Sequence, residues 1–216
     1  MFKEKLNTWY LFGILIATNF ILAFILSQLL VTREIYYNTF QSQLDNTRID
    51  EMFDMQSKFS WIGFAFLPLY LLLKIFVVSL TLQTGLLLCN AKLKFATTFK
   101  ITLIAEFVFL IPQLIKILWF LFAEKDYTLI DVQQFSPLSA LNIFNAKNLA
   151  QFLIYPFQTF NVFEIFYWII LAGGIKQEFN TDINHGIKIV FSGYIPGLII
   201  WIICIMFITV SLVPQT

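Results

Sequence analysis

Charged side chains are scarce in this chain. They make up 12% of its 216 residues, whereas about a quarter of a typical soluble protein is charged. Hydrophobic residues account for 59%, and the mean hydropathy is +0.78. A soluble domain of this length could not cover so much apolar surface, so the composition indicates an integral membrane protein. The 14 basic and 13 acidic residues nearly cancel, and we therefore expect no nucleic-acid partner.

The residues that build metal and nucleophile sites are also few. The two cysteines, Cys89 and Cys204, are far apart, which argues against a zinc site and a disulfide framework. The single histidine, His185, follows Asp182 in a polar loop, and a lone histidine cannot build a zinc site. This pair is the nearest approach to the acid and base that a lipid-modifying enzyme would need. The sequence contains no Walker A loop, GxSxG elbow, HExxH motif or glycine-rich dinucleotide turn. We expect neither enzymatic activity nor a cofactor.

Long apolar runs dominate the sequence. A bilayer crossing needs about 20 mostly apolar residues, and five runs meet that length. The sequence predicts an all-α, polytopic membrane bundle that forms one transmembrane domain over residues 1–216. Its five transmembrane helices are expected at 9–31, 61–88, 101–123, 152–174 and 187–212. The first run is too long for a signal peptide and lacks an A-x-A site, so we interpret it as a retained helix.

Basic residues in short loops predict the orientation. Seven lysines lie in the N-terminal segment and in the second and fourth loops: Lys3, Lys5, Lys92, Lys94, Lys100, Lys176 and Lys188. Five basic residues lie in the two long loops on the other side: Arg33, Arg48, Lys58, Lys125 and Lys147. We therefore expect the N-terminus to be cytoplasmic and the C-terminus to lie outside.

The two long outer loops are expected to carry short interfacial helices. Residues 32–60 contain few turn formers, and we predict one or two helices there that lie near the membrane surface. Because loops longer than about 15 residues are usually functional or disordered, we expect this loop to be ordered and to contact the membrane or another subunit. In the other loop, Ser136 and Pro137 are typical of an N-cap and a first helical position.

Polar side chains recur at helical spacing inside three of the predicted spans. A lysine at mid-span costs about 2.5–3.5 kcal/mol, so Lys74 is expected to reach Glu164 or Glu106. Three interpretations remain open: a structural ion-pair network, a proton or solute pathway, and side chains that snorkel or face a partner, with Lys116 the first candidate to snorkel. The predicted intramembrane polar network comprises Lys74, Glu106, Gln113, Lys116, Asn161 and Glu164.

Two stretches resemble the Yip1 domain family of five-span membrane proteins. They are TGLLLCNAKLKFATTFKITLIAEFVFLIPQLI and FNVFEIFYWIILAGGIKQEFNTDINHGIKIVFSGYIPGLIIWII. The resemblance covers about residues 60–212 and implies an integral membrane protein with a cytoplasmic N-terminus. Eukaryotic members of that family work with small GTPases in vesicle traffic. This chain lacks a long N-terminal arm and a DLYGP-like segment, so GTPase binding is not carried over. Its richness in Phe, Ile, Asn and Lys fits a bacterial inner membrane, with an ER or Golgi membrane as the alternative.

Two functions follow from these features. The first is a non-enzymatic membrane scaffold or accessory subunit, whose partners are membrane lipids and other integral membrane proteins. The alternative is a small transporter or permease-like subunit that uses Lys74, Glu106 and Glu164.

Overall fold

The fold is all-α, as the sequence predicts. The computed structural model describes residues 7–144 and 149–212, and within these ranges there is no β-strand. The α-helices are α1 (Thr8–Leu30), α2 (Arg33–Phe40), α3 (Asn46–Leu88), α4 (Phe95–Glu106), α5 (Leu110–Phe122), α6 (Leu129–Gln134), α7 (Gln151–Thr159), α8 (Val162–Phe179) and α9 (Ile183–Leu212). Two short 3₁₀ turns lie at Phe107–Phe109 and Ala140–Ile143. The lysines at 3, 5 and 147, which the orientation argument uses, lie outside the described residues.

Four helical segments are long and apolar enough to cross a membrane by length and composition. They are Thr8–Leu30, Asn46–Leu88, Phe95–Phe122 and Ile183–Leu212. The third segment comprises α4 and α5, which the 3₁₀ turn joins end to end. These segments contain the first, second, third and fifth of the predicted runs, apart from one or two residues at their ends.

The second of these segments, α3, extends well beyond a bilayer. At a rise of about 1.5 Å per residue its 43 residues measure about 65 Å, roughly twice the hydrocarbon thickness of about 30 Å. Residues 46–60 of the long outer loop are therefore a continuation of the span, and only α2 is a separate helix in that loop. Pro68 lies inside α3 without ending it.

The N-terminal end of α3 packs against α2. Arg33 pairs with Asp50 at 2.6 Å and with Asp54 at 2.7 Å, and its guanidinium lies 5.1 Å from the centre of the Phe53 ring. Tyr36 packs edge-on against the same ring, and burial raises the pKa of its hydroxyl. Because the ion pairs are solvent-exposed, each contributes at most about 1 kcal/mol, and the aromatic contact adds apolar burial to them.

The predicted span over 152–174 is divided into two helices, α7 and α8. Asn161 separates them in an extended conformation, and its side chain accepts a hydrogen bond from the Glu164 N–H at 2.8 Å. The backbone on either side pairs with the preceding loop, because Ala140 N–H donates to Phe160 O and Val162 N–H donates to Leu138 O. An asparagine that caps a helix is more favourable than one in a helix interior, so the chain breaks there.

The helix expected to begin at Pro137 does not form. Ser136 is not an N-cap, since its hydroxyl donates to Gln158 O at 3.3 Å. Pro137 lies in a turn that continues into Leu138, whose φ is +55°, a conformation that a helix does not allow. The chain then forms the 3₁₀ turn at Ala140–Ile143. The later part of the expected helix includes residues 145–148, which lie outside the described residues.

The largest core cluster joins α3, α4, α8 and α9. The approach of α3 to α9 depends on glycine: a Cβ on Gly85 would meet Ile189 O, and a Cβ on Gly193 would meet Thr81 O and the backbone of Gly85. Small residues of this kind allow close helix contact inside a membrane. This contact sets the register of α9 against α3, and therefore which residues of α9 lie opposite the polar residues of α3.

Candidate functional site

Lys74 of α3 and Glu106 of α4 form an ion pair inside the bundle. The two helices run antiparallel, and their register is fixed by further contacts closer to the connecting loop. The Ser79 hydroxyl donates to Thr102 Oγ1 at 3.3 Å, and the Gln83 amide donates to Thr98 Oγ1 at 3.0 Å. In this register the Lys74 ammonium donates directly to Glu106 Oε1.

The carboxyl of this pair is buried, and the lysine is partly exposed. The Glu106 side chain is 3% exposed and that of Lys74 is 31% exposed. The ammonium also lies 4.1 Å from the centre of the Phe109 ring, in cation–π geometry. Because Glu106 is almost fully buried, removal of Lys74 would leave an uncompensated charge.

A second buried carboxyl, Glu164, lies in the first turn of α8. The Trp168 indole N–H donates to its Oε1 at 2.8 Å, and the Tyr194 hydroxyl of α9 donates to the same oxygen at 2.6 Å. Glu164 is 5% exposed. Both of these side-chain donors are electrically neutral, so hydrogen bonds hold Glu164 in place without a direct cation partner.

Tyr167 lies between the two carboxyls. It is fully buried, packs against the rings of Phe109 and Tyr194, and interacts electrostatically with both Glu106 and Glu164. In the described part of the chain, its hydroxyl and Glu106 Oε2 are the two buried side-chain polar atoms without a hydrogen-bond partner. We refer to Lys74, Glu106, Glu164, Tyr167 and Tyr194 as the buried polar cluster.

The other predicted network residues lie elsewhere. Gln113 of α5 donates to Asn19 Oδ1 of α1 at 3.1 Å, and the Asn19 amide in turn donates to Leu15 O. Asn161 caps α8. Lys116 comes ten residues after Glu106, about 15 Å farther along the α4–α5 rod, and is partly buried. Among the described residues, the Lys116 side chain forms no ion pair and no hydrogen bond.

The polar network predicted from the sequence omits Tyr167, Tyr194 and Asn19. Both tyrosines count as apolar in a periodicity argument, although Tyr167 follows Glu164 at a spacing of three residues and therefore lies near the same helix face. Asn19 is a polar residue in the middle of the first span. An amide at that depth needs a partner from another helix, and that signal is visible in the sequence.

Two surface cavities lie near residues 27–60 and 119–144 and not at the buried polar cluster. One, of about 230 Å³, is lined by residues that include Gln28, Arg33 and Phe53. The other, of about 360 Å³, lies between α5, α6 and the 3₁₀ turn that begins at Ala140. No group of three or more His, Cys, Asp and Glu that could hold a metal occurs within the described residues.

No protein-family model, curated protein or solved structure matches this chain.

Proposed function

We propose that this protein is a non-enzymatic integral membrane scaffold or accessory subunit that acts by association with other membrane proteins. The main support is the way its intramembrane polar groups are used. Lys74 binds Glu106, Glu164 accepts from Trp168 and Tyr194, and Gln113 binds Asn19. Each contact except that of Trp168 joins two different helices, so these groups stabilise the bundle and leave few side chains free to line a pathway.

The surface of the bundle supports the same proposal. Large apolar side chains are exposed along all four long segments, among them Phe24, Phe66, Phe122 and Phe207. Most of these would face lipid. The outer end of α3 is different, because it projects beyond the length that a bilayer covers and still exposes Met55 and Phe59. We propose that this projecting part contacts the membrane surface or another subunit.

We further propose that α7 and α8 together make a fifth crossing. Side chains and backbone of these helices contact α9 in reverse order along its length, as expected for antiparallel neighbours. The successive contacts are Tyr155 with Trp201, Glu164 with Tyr194, and Ala172 with Gly186. Helices α7 and α8 together therefore run antiparallel to α9, from its outer half to its first turns. Two segments of a transmembrane hairpin would be arranged in this way.

The family and location are proposed on the sequence features alone. The resemblance to the Yip1 domain family requires five crossings, and the α7–α8 pair makes that number compatible with the fold. We place the protein in a bacterial inner membrane, with an ER or Golgi membrane as the alternative. Binding of a small GTPase is not part of the proposal.

The proposed orientation, with the N-terminus cytoplasmic and the C-terminus outside, predicts a labelling pattern. Gln43 and Lys94 are both exposed but lie at opposite ends of α3. After replacement of Cys89 and Cys204, which are both free thiols, a cysteine at Gln43 should react with an impermeant reagent added outside intact cells. A cysteine at Lys94 should react only after the membrane is permeabilised. The reverse pattern would overturn the orientation.

The transporter alternative has one specific observation in its favour. The buried polar cluster contains two carboxyls, Glu106 and Glu164, but only one cation, Lys74. Surplus carboxyls inside a bundle are typical of ion and proton pathways.

Reconstitution separates the two functions. The purified protein alone in liposomes, with a trapped pH-sensitive dye and an imposed proton gradient, should leak no faster than protein-free liposomes. Mild-detergent purification from native membranes should recover it with another integral membrane protein, identified by mass spectrometry. Proton flux that Glu164→Gln abolishes and Glu178→Gln preserves would replace the scaffold proposal with the transporter, because Glu178 is exposed at the far end of the same helix.

A further inference from the structure

The buried polar cluster has an imbalance of charge. If Lys74, Glu106 and Glu164 were all ionised, the cluster would carry a net negative charge, although both of its carboxyls are almost fully buried. An isolated charge in an apolar interior costs many kcal/mol, so such a group is neutralised or paired. Lys116 is about 15 Å along the helix from Glu106 and does not compensate it, and among the described residues Lys74 is the cation whose charge acts on Glu164. The cluster therefore needs one further positive charge to be electrically neutral.

The contacts of the two carboxyls indicate which of them takes that charge. Glu106 receives the Lys74 ammonium, an interaction that stabilises its ionised form. Glu164 receives only the neutral Trp168 and Tyr194 donors, and both hydrogen bonds end on Oε1. Two donors on one oxygen suit the carbonyl oxygen of a protonated acid, whose other oxygen carries the hydrogen.

The neighbouring titratable groups point in the same direction. Lys74 on α3 and Glu106 on α4 both lie close enough to Glu164 to interact with it electrostatically, and their charges are of opposite sign. Tyr194 on α9 and Tyr167 on α8 are the other titratable groups that face it. Burial and a nearby carboxylate both disfavour the charged form of a carboxyl, and the single ammonium is already held by Glu106.

We propose that Glu164 is a proton-binding site, so that the buried polar cluster is electrically neutral with one proton on Glu164, one ammonium on Lys74 and one carboxylate on Glu106. A proton fits the site better than a metal cation. A hard metal cation needs several oxygen ligands, whereas one oxygen of each carboxyl already accepts hydrogen bonds from the donors described above. This inference goes beyond the scaffold function, because a bundle can hold a proton without moving it across the membrane.

Infrared spectroscopy tests the proposal directly. A protonated carboxyl has a C=O stretching band that is separate from the bands of a carboxylate and that shifts in D₂O. The purified wild-type protein at neutral pH should show this band, Glu164→Gln should remove it, and Glu178→Gln should leave it unchanged. Absence of the band from the wild-type protein would overturn the proposal, and so would its persistence in Glu164→Gln. A bound sodium ion in place of the proton would leave both carboxyls ionised and give no band.

A second variant keeps the test decisive if Glu164→Gln does not fold. Tyr194→Phe removes one of the two donors to Oε1 and should shift the acid band to higher frequency, because a hydrogen bond to a carbonyl lowers its stretching frequency. Tyr10→Phe is the matched control, since Tyr10 is 64% exposed, and it should leave the band in place. A band that Tyr194→Phe does not shift would belong to another carboxyl, and the proposal would fail.

Discussion

Replacement of Lys74 by methionine should destabilise the bundle by about 3–5 kcal/mol, the cost of removing one partner from a buried ion pair. Methionine is similar in length and apolar, so the variant removes the charge and keeps most of the volume. The loss arises mainly at Glu106, which is 3% exposed and would either carry a charge without a partner or have to take up a proton, and both states cost free energy. Reversible unfolding in mixed micelles, followed by circular dichroism, measures the change in free energy.

A second substitution should restore much of that loss. Glu106→Gln in the Lys74→Met background removes the orphaned charge, and the double variant should be more stable than Lys74→Met alone. Lys58→Met is the control on the same helix, because Lys58 is exposed, and it should change stability by less than about 0.5 kcal/mol. Losses that add in the double variant would mean that Lys74 and Glu106 do not interact.

Introduction of a methyl group at Gly193 should disrupt the contact between α3 and α9. The Cβ of Gly193→Ala would meet backbone atoms of Thr81 and Gly85, which cannot rotate away as a side chain would. Relief requires α3 and α9 to separate, and overpacking of this kind costs about 1–3 kcal/mol or more. The same separation would draw Tyr194 away from Glu164, so the variant should lose both stability and the hydrogen bond to Oε1.

The chain offers two matched controls for this experiment. A Cβ at Gly63 of α3 or at Gly173 of α8 would meet nothing within 4 Å. Gly63→Ala and Gly173→Ala should be neutral or stabilising, because alanine favours a helix over glycine by about 1 kcal/mol. A loss of stability in the controls equal to that of Gly193→Ala would show that close approach of α3 and α9 is not the cause.

The long helices were predictable from the sequence because hydropathy is additive over a window of about 20 residues. The break at Asn161 was not predictable in this way. One polar residue changes the mean hydropathy of such a window very little. Whether that residue caps a helix or faces a neighbouring helix depends on the loop that pairs with it. Here Leu138 and Ala140 supply that pairing, and they lie about 20 residues earlier in the chain. The continuation of α3 through 46–60 was missed for a related reason, since its polar residues suggest a loop but are compatible with a helix.

The candidate site was predictable as a set of residue types and not as a set of contacts. Periodicity placed Lys74, Glu106 and Glu164 on inward faces, and their depths left both acids as partners for the lysine. The choice between them depends on the register of α3 against α4, which the contacts of Ser79 and Gln83 fix. The two tyrosines were missed because their rings are apolar, and only the packing of α8 against α9 brings Tyr194 to Glu164.

The length of α3 has a mechanical consequence. A continuous helix that is about twice as long as a bilayer is thick acts as a lever, and Pro68 is a point of flexibility in it because proline removes one backbone hydrogen bond. Asp54, which pairs with Arg33, lies on one side of Pro68. Lys74 lies on the other side, about 30 Å from Asp54 along the helix. A load applied to the projecting end of α3 would therefore concentrate bending at Pro68, between Asp54 and Lys74.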